Sequence, residues 1–284
     1  MVLVWEGSRR IGWRPSSTSA SLLFGLRILP FAISLGISVF FTFPSFWLLE
    51  RTSLDEDTGT FILGLCSLLI LGAGLVRVLL AEVRTTRAVI RWRLSACSEG
   101  GAIPPTIKAS YGAPPLILVG IRKPNVMVSD MAATVLSDDE LRAAVRHELG
   151  HMRSWDNLKK VSISATPFPG MTSLERAWRE AAELAADDSA VTNRQEALDL
   201  AAALIKLSRF SQQWAEPSLV SGFVTGSSSI GVRLERLIKW RVASRRFHTW
   251  SWTILVLSTM IAGIVGNYGI ALVVTHRLTE LLVP

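Results

Sequence analysis

Three long apolar segments interrupt an otherwise mixed sequence, and they predict membrane-spanning helices. They cover residues 22–49, 61–81 and 252–274, and each reaches the roughly 20 mostly apolar residues that a spanning helix needs. The first segment contains Arg27, so its span can begin near Ile28 with the arginine reaching the lipid headgroups. A cleaved signal peptide is the alternative for this segment, but the run is long and no small-residue cleavage site follows it.

Basic residues beside these segments predict their orientation. They cluster before the first span (Arg9, Arg10, Arg14, Arg27), after the second (Arg84, Arg87, Arg91, Arg93) and before the third (Arg233, Arg236, Lys239, Arg241, Arg245, Arg246). The positive-inside rule places such clusters in the cytoplasm. Segments 1–21 and 82–248 are therefore predicted to be cytoplasmic, and loop 50–60 and tail 275–284 external. We expect a multi-pass protein of the inner (plasma) membrane, with the lipid bilayer as a partner.

Composition changes this interpretation little. The chain is 49% hydrophobic with a formal net charge of +7. Because the basic run Arg84–Arg93 adjoins a predicted span, topology explains it better than direct binding of nucleic acid. The two cysteines, Cys66 and Cys97, provide neither a disulfide framework nor a four-thiolate metal site.

Residues 82–248 have the size of one domain and predict a mainly helical α+β fold with a small β-sheet. Leu116-Ile117-Leu118-Val119 and 125–128 are apolar, β-branched runs typical of strands. Ser137 with Glu140, and Thr172 with Glu175, each match a capping box at a helix start. The helix that opens at Thr172 is predicted to run to about residue 192. Further helices are predicted over 195–213 and from about 232, with a loop over 214–231.

The sequence His147-Glu148-Leu149-Gly150-His151 carries the chemistry. Two histidines four residues apart share one helix face and can bind one zinc ion, while Glu148 can act as general base on the zinc-bound water. A catalytic zinc usually has a third protein ligand. Glu183 is the candidate, with Glu180 as the competing ligand, and Asp187, four residues further, can hold a ligand histidine by its outer ring nitrogen.

Several of these motifs together resemble the BlaR/MecR-type membrane metallopeptidases and the related HtpX-type membrane proteases. The motifs are 136–141, the histidine–glutamate–histidine sequence, 156–157, Glu183-Leu184-Ala185-Ala186-Asp187, and more weakly 120–128 and 236–238. The resemblance covers roughly residues 100–240 and implies a zincin-like domain flanked by transmembrane helices, with one Zn²⁺ per chain and a glutamate as third ligand. It also implies that the strand Leu116–Val119 pairs with an extended protein or peptide substrate, as an exposed strand edge can. The alternative is an ordinary edge strand without a substrate role.

The expected function is that of a membrane-anchored zinc endopeptidase that cleaves a cytoplasmic regulator or a membrane-associated protein in signal transduction. A partner sensor or repressor protein is compatible with this role, since only about ten residues follow the third segment and no external sensor domain is seen. Two alternatives remain: an HtpX-like quality-control protease, and a non-catalytic signalling or scaffold protein with a structural zinc. His248 and His276 border or follow the third span and are not expected to be ligands.

Overall fold

Helices dominate the described part of the chain, which in this computed structural model comprises residues 19–44, 58–94, 106–109, 114–120, 125–167, 170–210, 221–222, 230–240 and 268–282. The helices are α1 Ala20–Ile37, α2 Thr58–Leu94, α3 Asp130–Val135, α4 Asp138–Arg153, α5 Asp156–Ala165, α6 Thr172–Ala190, α7 Arg194–Ser208, α8 Ile230–Ile238 and α9 Tyr268–Leu282. The strands are β1 Thr106–Ala109, β2 Leu116–Val119, β3 Asn125–Ser129 and β4 Ser221–Gly222. The predicted mainly helical fold with a small sheet is confirmed.

Two segments, Ala20–Thr42 and Leu65–Ile90, form helices long and apolar enough to cross a membrane. The first combines α1 with the π-helical continuation Ser38–Thr42, and the second lies within α2. Large apolar side chains on both, such as Phe40 and Leu68, are exposed. Most of the predicted third span lies outside the described residues, and α9 covers its end and most of the predicted tail.

The chain divides into two compact units. One consists of Met1–Arg27 with Ala73–Val242, and the other of Ile28–Gly72 with Ala243–Pro284. In the second unit, the Tyr268 hydroxyl at the start of α9 donates a hydrogen bond to the Phe40 carbonyl (2.8 Å), and its ring lies 5.7 Å from that of Phe41. The first unit contains the sheet, α3 to α8 and the candidate site.

The sheet has the order β1-β3-β2-β4. β2 and β3 run antiparallel with Leu116 opposite Val128, while β1 lies parallel to β3 on its other side. Leu116, Ile117 and Leu118 are all at most 1% exposed, so both faces of β2 are covered, and this explains why its sequence is continuously apolar.

One core connects the sheet to the helix that carries the histidines. One face of β2 and β3 packs with α4, α7 and α8 through Leu116, Leu118, Val126, Val128, Ala143, Ala144, Leu200, Leu204, Leu207 and Leu237. The predicted start of α4 is confirmed: the Ser137 side chain accepts from the Glu140 amide, and the Glu140 carboxylate accepts from the Ser137 amide. This cap and core fix the position of α4.

The expectation that Arg27 reaches the lipid headgroups is wrong. The side chain is 2% exposed; its Nε donates to Glu175 Oε1 (2.8 Å) and its Nη2 to the Thr166 carbonyl (2.7 Å). The capping box predicted at Thr172 and Glu175 is also wrong. Helix α6 begins after Met171 without a side-chain cap, because the Glu175 carboxylate binds Arg27 instead of the backbone.

Candidate metal centre

Helix α4 presents two histidines one turn apart on its buried face. His147 is 0% and His151 2% exposed, and their rings lie 4.9 Å apart at an angle of 87°. Glu148, between them in sequence, is also fully buried. Three polar side chains of one helix thus lie inside the unit, where charges need partners.

Helix α6 places the Glu183 carboxylate beside both rings. Glu183 Oε2 lies 3.5 Å from His147 Nε2, and Glu183 Oε1 lies 3.5 Å from His151 Nε2. One ligand atom from each of the three residues lies within 4.8 Å of the others, an arrangement that can hold a metal ion. Glu180 does not belong to the metal-binding group identified among the described residues.

Small residues allow α4 and α6 to approach this closely. A Cβ on Gly150 would overlap the Ser189 hydroxyl and press on the Ala186 backbone of α6. Gly150 is therefore needed for close packing rather than for an unusual backbone angle. The glycine between the histidines and the alanines of α6 together bring Glu183 within reach of the imidazoles.

A carboxylate holds the outer nitrogen of each histidine. Asp187 Oδ1 lies 2.9 Å from His147 Nδ1, and Asp156 Oδ2 lies 2.7 Å from His151 Nδ1. Both interactions direct Nε2 toward Glu183 and favour the ring orientation that a metal ligand needs. The role of Asp187 follows from its spacing to Glu183, whereas the only sequence signal for Asp156 is its place in the 156–157 motif.

Arg233 on α8 completes the site and was missed as a site residue. It is 1% exposed; its Nε and Nη2 donate to the two oxygens of Asp187 (2.8 and 2.7 Å), and its Nη1 donates to Glu183 Oε2 (2.9 Å). In the sequence it is one of the basic residues that precede the third predicted span. Arg236, one turn further, instead pairs with the exposed Asp188.

The charges of the cluster shift its pKa values strongly. Burial alone would raise the pKa of Glu183, but the charges of His151 and Arg233 and the contact with His147 outweigh it and lower that pKa to about 2. Burial would likewise lower the pKa of His147, but Asp187 and Glu183 raise it to about 9. The buried carboxylates thus favour a positive charge on the imidazole, which a proton or a bound cation can supply.

Two observations fit a divalent cation. His151 Nε2 is buried and makes no hydrogen bond within the described part of the chain. Around it, the carboxylates of Glu148, Glu183 and Asp187 lie near one guanidinium, whose pKa they raise despite its burial. Such a buried, carboxylate-rich surrounding favours a bound cation.

The strand predicted to bind substrate does not present a free edge along its whole length. Ile117 and Leu118 pair with Gly222 and Ser221 of β4, so β2 lies between β3 and β4. The expectation of an exposed edge is wrong at these two positions. The Asn157 amide also donates to the carbonyls of Leu118 and Gly120, and so connects the end of β2 to α5.

A comparison with protein-family models and with curated proteins finds no match to this chain.

Proposed function

We propose that this protein is a membrane-anchored zinc-dependent endopeptidase. The observation that carries the proposal is the convergence of His147, His151 and Glu183 with a buried glutamate, Glu148, on the same helix. Nitrogen and carboxylate oxygen are ligands that zinc accepts, and three protein ligands leave a fourth position open, as catalytic sites require. A structural zinc site is usually closed by four ligands, and the identified group has three.

The distances support zinc. Ligand atoms about 2.0–2.1 Å from zinc at the corners of a tetrahedron lie about 3.3 Å from one another. The two nitrogen–oxygen distances at Glu183 are both 3.5 Å. They join different oxygens of the carboxylate to the two rings, and each is close to that separation.

Each residue of the site has its own role in the proposed peptide hydrolysis. A zinc ion held by the three ligands would polarise the scissile carbonyl and acidify a water molecule. Glu148 takes the proton from the attacking water and transfers it to the amine that leaves as the C–N bond breaks. Asp187 and Asp156 hold the imidazoles, and Arg233 holds Glu183 and Asp187.

The cellular role we propose is cleavage of a cytoplasmic regulator or of a membrane-associated protein in signal transduction. Two helices of this chain are long and apolar enough to cross a membrane, which supports a membrane-associated role. The basic clusters of the sequence predict that the domain with the site is cytoplasmic, which supports a cytoplasmic substrate. A reporter fused after Arg93 should behave as cytoplasmic. An external signal from that fusion would overturn the orientation.

The enzyme proposal is tested with the purified full-length chain in detergent. Metal analysis should find about one zinc per chain, and His147→Ala should lose it. A mixed peptide pool analysed by mass spectrometry should be cleaved by the wild type, and Glu148→Gln should retain zinc but cleave at least about 100-fold more slowly. If zinc is bound and the two proteins cleave equally, or neither cleaves, the endopeptidase proposal fails and a structural zinc is the better explanation.

A further inference from the structure

Residues 153–160, here called the tryptophan segment, bring exposed apolar and basic side chains together on the surface of the first unit. Trp155, between α4 and α5, is 60% exposed, and Leu158, three residues later on α5, is 44% exposed. Arg153 at the end of α4 is exposed, and Lys160 is half-buried. Large apolar side chains thus lie between basic ones along a short stretch of the chain.

The acidic residue of the tryptophan segment is directed inward. Asp156 is 3% exposed; one of its oxygens lies 2.7 Å from His151 Nδ1 and the other 3.3 Å from Lys159 Nζ. With three basic residues against this one carboxylate, the segment has a net positive charge. A positively charged surface attracts anions.

Helix α5 connects the tryptophan segment to both helices that are apolar enough to cross a membrane. At its start, Lys159 Nζ lies 5.8 Å from the centroid of the Phe24 ring of α1. At its end, a Cβ on Gly74 of α2 would overlap the Ala165 carbonyl. Phe24 and Gly74 both belong to the membrane-crossing segments and to the first unit. Since Trp155 precedes Lys159 by about one helical turn, roughly 5 Å, it lies close to any bilayer that these helices enter.

Trp155 has a backbone conformation that tryptophan rarely adopts. Its φ of 56° and ψ of 35° are left-handed, and it is the non-glycine residue with positive φ among those described. Glycine or asparagine fits this position with less strain. A bulky and exposed aromatic ring held at a strained position indicates a contact outside the unit.

We infer that the tryptophan segment binds the surface of an anionic phospholipid bilayer, with the indole among the headgroups and the basic side chains near the phosphates. Tryptophan is enriched at this level of membranes because its ring is apolar and its N–H is polar. Each lysine or arginine near an anionic surface strengthens binding about fivefold. Charge complementarity and the contact of α5 with the apolar helices both favour lipid as the partner. The inference goes beyond the proposed function, because it depends on neither zinc nor catalysis.

Photochemical labelling of the full-length protein tests the lipid contact. The protein is placed in nanodiscs with equal amounts of phosphatidylglycerol and phosphatidylcholine, and one lipid at a time carries a diazirine near its glycerol. Trypsin then releases peptide 154–159, which follows Arg153 and ends at Lys159. At low salt, this peptide should be labelled at least about fivefold more by phosphatidylglycerol than by phosphatidylcholine. Tandem mass spectrometry should place the cross-link at Trp155 or Leu158.

A second peptide of the same digest is the internal control. Peptide 195–206 of α7 contains Leu198 and Ile205, which are 38% and 42% exposed, and it should show little labelling by either lipid. About 1 M salt should bring the ratio of the two lipids at peptide 154–159 toward one, because exposed charges are then screened.

Variants outside the labelled peptide locate the charge effect. Lys160→Gln leaves peptide 154–159 unchanged and should lower the phosphatidylglycerol preference by up to about fivefold, and Lys160→Arg should restore it. Lys239→Gln is the matched control, because Lys239 follows α8 and its side chain is 73% exposed. This variant should leave the preference unchanged.

The outcomes separate this inference from the endopeptidase proposal. Equal labelling by the two lipids, equal labelling of the two peptides, or equal effects of Lys160→Gln and Lys239→Gln overturns the lipid contact, even where the protein cleaves peptides. Selective labelling that salt and Lys160→Gln both reduce supports it, even where no peptide is cleaved. Failure of one proposal therefore leaves the other standing.

Discussion

Replacing Arg233 by methionine tests the electrostatic account of the metal centre. Methionine retains an apolar chain of similar reach but removes the charge and three hydrogen bonds to Glu183 and Asp187. The guanidinium is 1% exposed, so water cannot replace it without rearrangement. Two carboxylates would then remain buried near each other without their arginine.

The expected cost is large in the metal-free protein. Removing one partner of a buried ion pair costs about 3–5 kcal/mol, because the remaining charge is left without compensation. At about 2–4 °C per kcal/mol for a domain of this size, the melting temperature should fall by roughly 10 °C. Zinc supplies positive charge at the same carboxylates, so it should raise the melting temperature more in Arg233→Met than in the wild type.

The assay is thermal unfolding of the full-length protein in one detergent, with chelator and with excess zinc. Arg236→Met is the matched control, because Arg236 lies one turn further on α8 and its pair with Asp188 is about 40% exposed on each side. An exposed pair contributes at most about 1 kcal/mol. If both variants lower the melting temperature by the same small amount, or if zinc stabilises Arg233→Met less than the wild type, the reasoning is refuted.

Three further predictions concern other contacts. Asp156→Asn should lower zinc affinity about 10- to 100-fold in a chelator-dye competition, and an unchanged affinity would remove its orienting role. Partial burial raises the pKa of Glu196, but hydrogen bonds from Arg146 and the Thr192 backbone amide outweigh this effect and lower the pKa to about 2. The ionised carboxylate therefore contributes about 1 kcal/mol to the free energy of unfolding above pH 4.5, and this contribution is lost as the pH falls toward 2. Chemical unfolding of Glu196→Gln should lack this part of the pH dependence. Gly74→Ala should destabilise by about 1–3 kcal/mol, since its Cβ would overlap the Ala165 carbonyl, whereas Gly72→Ala meets nothing within 4 Å and should be neutral or stabilising; equal melting temperatures would contradict this.

The sequence could predict the parts of the site that depend on helical spacing. The four-residue interval of His147 and His151, and that of Glu183 and Asp187, places each pair on one face of its helix. The capping box at Ser137 predicted the start of α4, because both of its hydrogen bonds are local. The structure brings all four side chains together.

Contacts between distant segments were not visible in the sequence. Glu175 has the spacing of a capping residue, but a buried arginine 148 residues earlier competes successfully for its carboxylate. Arg233 has the appearance of a juxtamembrane basic residue, because only the fold shows that it lies against Asp187. β4 covers part of β2 although it has two residues and lies about 100 positions away.

The buried Arg27 determines how little of this chain can be removed. Leu23 at 0% exposure, the Phe24 ring 6.2 Å from the ring of Trp178, and the arginine bound to Glu175 fill the space beside α6. A fragment of residues 95–248 would uncover the indole of Trp178 and leave a carboxylate without its counter-charge, so it should aggregate although it contains none of the three apolar segments. The shortest piece that preserves the metal centre therefore retains the opening turns of a helix apolar enough to enter a bilayer.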